Sequence, residues 1–200
     1  MTFFGLTGNI GCGKSTVASL LATQPGVAVH DCDRISKDII RSGAHKDEIQ
    51  TALATDVFSA DGVDLAKIAE IIFRNVAKRK ALEALIHPLV WERILADIAK
   101  DSDRRIHIVE SAVFYENGDD KKCCGMIVVT CDPEEQLRRL LTNRRMTQEN
   151  IDARLAVQLP MKEKEARAQF LIHNDCTIET LRERVEILYR QLTHFQQTGG

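Results

Sequence analysis

The segment Gly8-Asn9-Ile10-Gly11-Cys12-Gly13-Lys14-Ser15 constrains this chain more than any other feature of its 200 residues. It satisfies G-x-x-x-x-G-K-[ST] at every fixed position. It follows an apolar run, Thr2 to Thr7, that reads as a strand, and it precedes a stretch that reads as a helix from Lys14 to about Thr23. Each part has a physical reason. Glycines let the backbone curl so that successive N–H groups point at one anion. The helix behind the loop adds the positive end of its dipole. Lys14 supplies a mobile charge for the β- and γ-phosphates of a nucleotide, and the Ser15 hydroxyl can bind a Mg²⁺ that bridges them. An ordinary glycine turn between strand and helix does not account for the complete pattern in this context.

Short β-branched runs alternate with helical patterns along the rest of the chain, which predicts an α/β fold with a mainly parallel sheet. Val27 to His30, Ile106 to Glu110, Met126 to Thr130 and Phe170 to Ile172 read as strands. Asp132-Pro133-Glu134-Glu135 reads as a helix start, with Asp as cap, Pro in the first turn and an acid after it. The last helix carries Ile178, Leu181, Val185, Leu188, Leu192 and Phe195 at steps of three and four, a stripe for core packing.

Between about Asp33 and Asp103 no convincing strand is visible. Leu82, Leu85, Ile86, Leu89, Ile94 and Ile98 mark one helix face. Pro88 falls inside that pattern and is expected to start or kink a helix there, displacing His87 from regular α geometry. This region reads as a helical insertion at about 33–103. The core is then 1–32, 104–142 and 168–200, all within one domain, a size that suits 200 residues of which 44% are apolar.

Composition narrows the partners. The net charge of −2 offers no basic excess of the kind used against nucleic-acid phosphates. No apolar run approaches the ~18 residues needed to span a bilayer, and the N-terminus has no charged n-region of a secretion signal. A soluble cytoplasmic protein is expected, with no membrane or nucleic-acid partner. The six cysteines, Cys12, Cys32, Cys123, Cys124, Cys131 and Cys176, form no C-x-x-C pair and read as reduced, mostly buried thiols rather than a disulfide framework or a metal site.

A phosphate loop alone does not name a reaction, since GTPases, motors and small-molecule kinases share it. The N-K-x-D of a guanine-specific GTPase is missing; Asn174-Asp175 does not fit it. The length leaves little room for a motor. A kinase for a small metabolite is favoured, with a non-catalytic ATP-binding module as the reading from another class. Asp31-Cys32-Asp33 follows the second strand directly, where ligands of open α/β sheets bind. Either aspartate can orient or deprotonate a substrate hydroxyl, or cap the helix that starts near Arg34. The charged stretch at about 143–167, with Arg144, Arg145, Arg154, Lys162, Lys164 and Arg167, is either a solvated helix face or a lid that closes over the phosphates and excludes water.

Taken together, these segments resemble the dephospho-CoA kinase family over nearly the whole chain. Leu6 to Thr16 is similar to its L-T-G-G-I-G-S-G-K-S, His30 to Asp33 to its D-A-D segment, and Leu85-Ile86-His87-Pro88 to its H-P motif. Glu110 to Glu116 resembles D-V-P-L-L-F-E, Arg154 to Gln158 resembles R-I-x-x-Q, and Ala168 to Asn174 resembles A-D-x-V-I-x-N. The resemblance implies a P-loop kinase fold: a five-stranded parallel core flanked by helices, a helical CoA-binding insertion and a lid. It implies ATP as co-substrate with Mg²⁺, and transfer of the γ-phosphate to the 3′-hydroxyl of dephospho-CoA. ATP would be bound by Gly8, Asn9, Ile10, Gly11, Cys12, Gly13, Lys14, Ser15, Thr16 and Asn174, the last near the adenine. Asp33 would be the base or hydroxyl-orienting group, Lys14 and Arg144 would neutralise the phosphoryl group, and Asp31 and His87 would face the acceptor. A nucleoside monophosphate kinase is the nearest rival; it would need an arginine set for an acceptor phosphate, and Arg74, Arg79 and Arg93 form no such pattern. Three departures stand out. Asn9 replaces a common glycine at a variable position, Ala112 replaces a proline, and Gln169 replaces an aspartate.

Overall fold

The structure, a computed structural model, describes residues 3–101, 106–143 and 146–198. The chain divides into two compact units, one made of residues 1–30 and 102–200 and the other of 31–101.

The first unit is built on a five-stranded sheet. Strand β1 (Phe4–Thr7) leads through the glycine loop into α1 (Lys14–Ala22), and β2 (Val27–Asp31) closes this first stretch. The second unit then adds α2 (Cys32–Arg41), α3 (Lys46–Leu53), a hairpin of β3 (Phe58–Ser59) and β4 (Gly62–Val63), α4 (Leu65–Arg74) and α5 (Val76–Lys100). The sheet resumes with β5 (Ile106–Glu110) and β6 (Gly125–Thr130). Helices α6 (Pro133–Thr142), α7 (Gln148–Leu155) and α8 (Met161–Ala166) precede β7 (Phe170–His173) and the final α9 (Ile178–Thr198). The strand order is β2-β5-β1-β6-β7, with β1 parallel to both β5 and β6, and β6 parallel to β7.

Every residue of β1, β5 and β6 is buried. A parallel strand covered on both faces needs a continuous apolar run rather than alternation, and this is why those runs were legible. Val17, Ala18 and Leu21 of α1 share a core with Leu181, Val185, Leu188 and Leu192 of α9 and with the sheet residues Phe4, Leu6 and Ile127. The α9 stripe therefore packs as its spacing predicts, except at its first member. Ile178 opens the helix and is 42% exposed. Phe195 closes the stripe by meeting the rings of Phe4 and Phe170 edge-on at 5.7 and 5.5 Å. The helix expected at Asp132 is also found: Asp132 caps α6 by accepting from the N–H groups of Glu134 and Glu135, with Pro133 in the first turn.

Two expectations fail in the second unit. The region is not wholly helical, because Phe58 and Ser59 pair with Val63 and Gly62 in a short antiparallel hairpin. Two-residue strands carry no periodicity to read, and their turn is made by Gly62 at φ 110° and by the Ser59 hydroxyl, which accepts from Asp61 N–H. Pro88 neither starts a helix nor displaces His87. Helix α5 runs unbroken from Val76 to Lys100 with Pro88 inside it. Pro88 and Ala84, whose carbonyl loses its partner, are both exposed, so water can take that bond. Meanwhile Leu82, Ile86, Val90, Trp91, Ile94 and Ile98 are buried on the other face, where α5 packs on α2, α3 and α4. Burying six large side chains outweighs the roughly 3 kcal/mol that an interior proline costs.

Candidate functional site

The glycine loop begins where β1 ends. Gly8 has φ 148°, and a Cβ there would stand 2.2 Å from the Val129 carbonyl of β6, so only glycine lets the loop leave the sheet at this point. Gly13 is the cap of α1 with φ 90°; a Cβ there would meet Asn174 Nδ2 at 2.1 Å. Between them the chain turns on itself, with Cys12 N–H donating to the Asn9 carbonyl at 3.2 Å. The Lys14 ammonium folds back over the loop and donates to that same carbonyl at 3.4 Å. The lysine is thus held at the mouth of the cradle, where a phosphate would displace it from the weak carbonyl contact.

The Ser15 hydroxyl donates to Glu110 Oε1 at 2.8 Å. Glu110 ends β5 opposite Leu6 of the neighbouring β1 and is only 7% exposed. Sequence reasoning named Ser15 but assigned Glu110 no role. The available signal was an acid terminating an otherwise apolar strand, Ile106-His107-Ile108-Val109-Glu110. A serine hydroxyl beside a carboxylate is a hard oxygen pair that fits Mg²⁺, which needs few protein ligands when phosphates and water complete its shell. Among the described residues no three His, Cys, Asp or Glu side chains converge on a metal position.

Other side chains grip the loop from distant parts of the same unit. Asn174 Nδ2 donates to the Cys12 carbonyl at 2.8 Å. Its own backbone is fixed on both sides: its N–H donates to the Thr130 carbonyl at 2.8 Å and its carbonyl accepts from Arg139 Nη2 at 2.7 Å. The Ile10 carbonyl accepts from Gln136 Nε2 at 2.6 Å, and Ile10 N–H donates to Gln158 Oε1 at 3.0 Å. The Ile10 side chain packs with Leu140 and Ile151. Gln136 was not singled out in the sequence, and Gln158 only as part of a motif. Asn9, which stands where the family commonly has glycine, is buried and donates through Nδ2 to the Leu159 carbonyl at 3.4 Å.

Cys12 of the loop also pairs with Cys131, which follows β6. A hydrogen bond with the Cys131 side chain, aided by the Lys14 charge, holds the Cys12 thiol below its ordinary pKa despite burial. The same hydrogen bond and its own burial push Cys131 upward, so Cys131 keeps its proton. All six cysteines are free thiols.

The remaining candidates belong to the second unit. Asp31 Oδ1 accepts from Arg34 N–H at 3.0 Å and is the cap of α2. Asp33 lies in the first turn of that helix. The choice left open in the sequence is therefore settled for the cap: it is Asp31. His87 is half-buried within α5, its ring edge-on to Trp91 at 6.4 Å. Arg144 and Arg145 lie outside the described residues.

The sequence model of the dephospho-CoA kinase family matches residues 2–180. Among curated relatives, a dephospho-CoA kinase of Agrobacterium fabrum is 34% identical over 194 residues, covering 96% of this chain and 98% of its own. One from Rhodopseudomonas palustris is 35% identical over 192 residues, covering 94% of each. The chain belongs to the dephospho-CoA kinase family. A crystal structure of a Thermus thermophilus protein, 28% identical, superposes with a TM-score of 0.79 over 96% of this chain and 97% of that one.

The departures of this dephospho-CoA kinase family member can be read against its geometry. Gln169 does the work of a strand anchor with a neutral amide. Its Oε1 accepts from Met126 N–H at 2.7 Å while its own N–H donates to the Met126 carbonyl at 3.0 Å, which sets β7 against β6. The carbonyl of Ala112 accepts from Lys164 Nζ at 2.8 Å, so this segment is tied down by a side chain where the family's proline would restrict the backbone. Among the described residues no helix is long and apolar enough to cross a membrane.

Proposed function

We propose that this chain transfers the γ-phosphate of ATP to the ribose 3′-hydroxyl of dephospho-CoA, giving CoA and ADP. The observation that carries this reading is the complete phosphate loop, with the Ser15 hydroxyl on the buried Glu110 carboxylate, in a chain of this family. In-line phosphoryl transfer asks a protein mainly for positioning and charge neutralisation. The loop N–H groups and the α1 N-terminus receive the β-phosphate, and Lys14 follows the γ-phosphoryl group as its charge shifts to the leaving oxygen. Asn174 contributes to ATP binding through the loop it supports. Arg144 adds positive charge when the lid closes, the moving part of the lid lying before the Gln158-Leu159 segment that is bonded to the phosphate loop. Asp33 accepts or orients the 3′-hydroxyl proton, and Asp31 and His87 belong to the acceptor side, in the helical insertion at about 33–103.

Ser15 would hold Mg²⁺ through its hydroxyl oxygen, and Glu110 would support it by its charge and by orienting that hydroxyl. Bound there, Mg²⁺ would supply positive charge against the phosphates of the nucleotide. Glu110→Gln keeps an acceptor for the Ser15 hydroxyl but removes the charge. The half-saturating Mg²⁺ concentration should rise about 10–100-fold, read both by turnover and by Mn²⁺ binding in electron paramagnetic resonance. Unchanged metal binding by this variant would remove Glu110 from the site.

The six free thiols suit a reducing compartment, and we place the protein in the cytoplasm, acting on small molecules without nucleic-acid or membrane partners. The test of the reaction is ADP release over a panel of acceptors. Dephospho-CoA should support turnover, and mass spectrometry with ³¹P NMR should locate the new phosphate at the 3′ position. Turnover on nucleoside monophosphates with none on dephospho-CoA would overturn the assignment.

A further inference from the structure

Helix α8 carries a lysine with no exposed surface. Lys164 Nζ reaches Glu116 Oε1 at 2.8 Å and the Ala112 carbonyl at 2.8 Å. Glu116 Oε1 also accepts from the backbone N–H of Leu159 at 2.6 Å, and its Oε2 is buried without a hydrogen-bond partner among the described residues. One carboxylate oxygen therefore collects two donors, from the helix and from the Gln158-Leu159 segment that leads into it. That segment holds the phosphate loop twice. Gln158 Oε1 accepts from Ile10 N–H at 3.0 Å, and the Leu159 carbonyl accepts from Asn9 Nδ2 at 3.4 Å. The far side of α8 is fixed as well, because Glu165 Oε1 accepts from the Thr130 hydroxyl of β6 at 2.6 Å.

We propose that Glu116, fixed by the buried ammonium of Lys164, is a positioning residue for ATP: it sets the Gln158-Leu159 segment, and that segment sets Asn9 and Ile10 of the phosphate loop. The inference rests on the reading of this loop as the ATP cradle. Cohesion alone does not explain the pair. Removing a carboxylate and an ammonium from water is costly, and apolar side chains of similar volume commonly hold a fold as well. Burial draws the Lys164 ammonium below its ordinary pKa, and the Glu116 contact at 2.8 Å opposes that shift. What the charge supplies is direction. A carboxylate oxygen between an ammonium and a peptide N–H fixes the height of residue 159, and the amide of Gln158 transmits that height to Ile10. The Ile10 carbonyl is held on its other side by Gln136, so the loop cannot follow a shift of residue 158 without losing a bond. The loop N–H groups must converge to within tenths of an ångström on a phosphate, so a small displacement of Asn9 and Ile10 is felt in nucleotide affinity.

The experiment is a double-mutant cycle of Gln158→Ala and Glu116→Gln, with ATP affinity by calorimetry, steady-state kinetics and melting temperature measured on each protein. Gln158→Ala should raise Kd and KM for ATP about 10-fold while kcat falls less than about 3-fold. The two substitutions should be non-additive, the double variant binding ATP no more weakly than the weaker single, because both act through one segment. Gln158→Asn, one methylene short of Ile10, should behave as Gln158→Ala and keeps the test open if Glu116→Gln does not fold. A lowered melting temperature with unchanged ATP affinity, or effects on affinity that multiply, would overturn the proposal. Failure of the unsubstituted protein to bind ATP at all would instead overturn the reading of the loop.

Discussion

Lys14→Ala is expected to lower kcat/KM for ATP by about 10²–10³-fold, measured by coupled ADP release with dephospho-CoA as acceptor. The ammonium is the mobile positive charge of the loop, and it rests on the Asn9 carbonyl at 3.4 Å, a contact weak enough to exchange for a phosphate oxygen. Removing it leaves the peptide dipoles of the loop to meet charge that grows on the leaving oxygen. The fold should be retained, because Asn174, Gln136 and Gln158 hold the loop from outside it. A variant with native melting temperature and near-native turnover would show that the loop does not handle phosphate through Lys14.

The second large effect is expected at Asp33. Asp33→Asn should lower kcat by about 10²–10⁴-fold with ATP affinity retained, if its carboxylate takes or orients the proton of the 3′-hydroxyl. Asp31 supplies the cap of α2, so Asp33→Asn should not loosen that helix. Asp31→Ala, in contrast, should cost about 0.5–2 kcal/mol of stability by urea unfolding. The pair separates proton transfer from capping: turnover is lost at Asp33 with stability intact, whereas Asp31→Ala lowers stability together with acceptor binding. Normal turnover by Asp33→Asn would remove the proposed base.

The same two aspartates show where sequence reasoning stops. Two carboxylates at the end of a strand were visible, but which one caps depends on whether α2 begins at Cys32 or near Arg34. That two-residue difference is fixed by how β2 hands over to the helix. Pro88 is a similar case. The local rule against interior proline is sound, and it was overridden by apolar side chains on the opposite face of α5, whose partners lie on three other helices. The β3–β4 hairpin was invisible because two residues cannot display a period.

What the sequence by itself determined is local. The phosphate loop, the Asp132-Pro133 helix start, the apolar central strands and the α9 stripe all follow from spacing within one element, since a glycine at positive φ, a capping carboxylate or an apolar face imposes its conformation on near neighbours. Only the tertiary structure decided how the loop is held. Glu110 meets Ser15 because β5 lies beside β1, and Gln136, Gln158 and Asn174 reach the loop from positions 126, 148 and 162 residues away. Amides and carboxylates of that kind carry no periodic signature. Their meaning comes from the donor or acceptor they meet, and folding alone brings the two together.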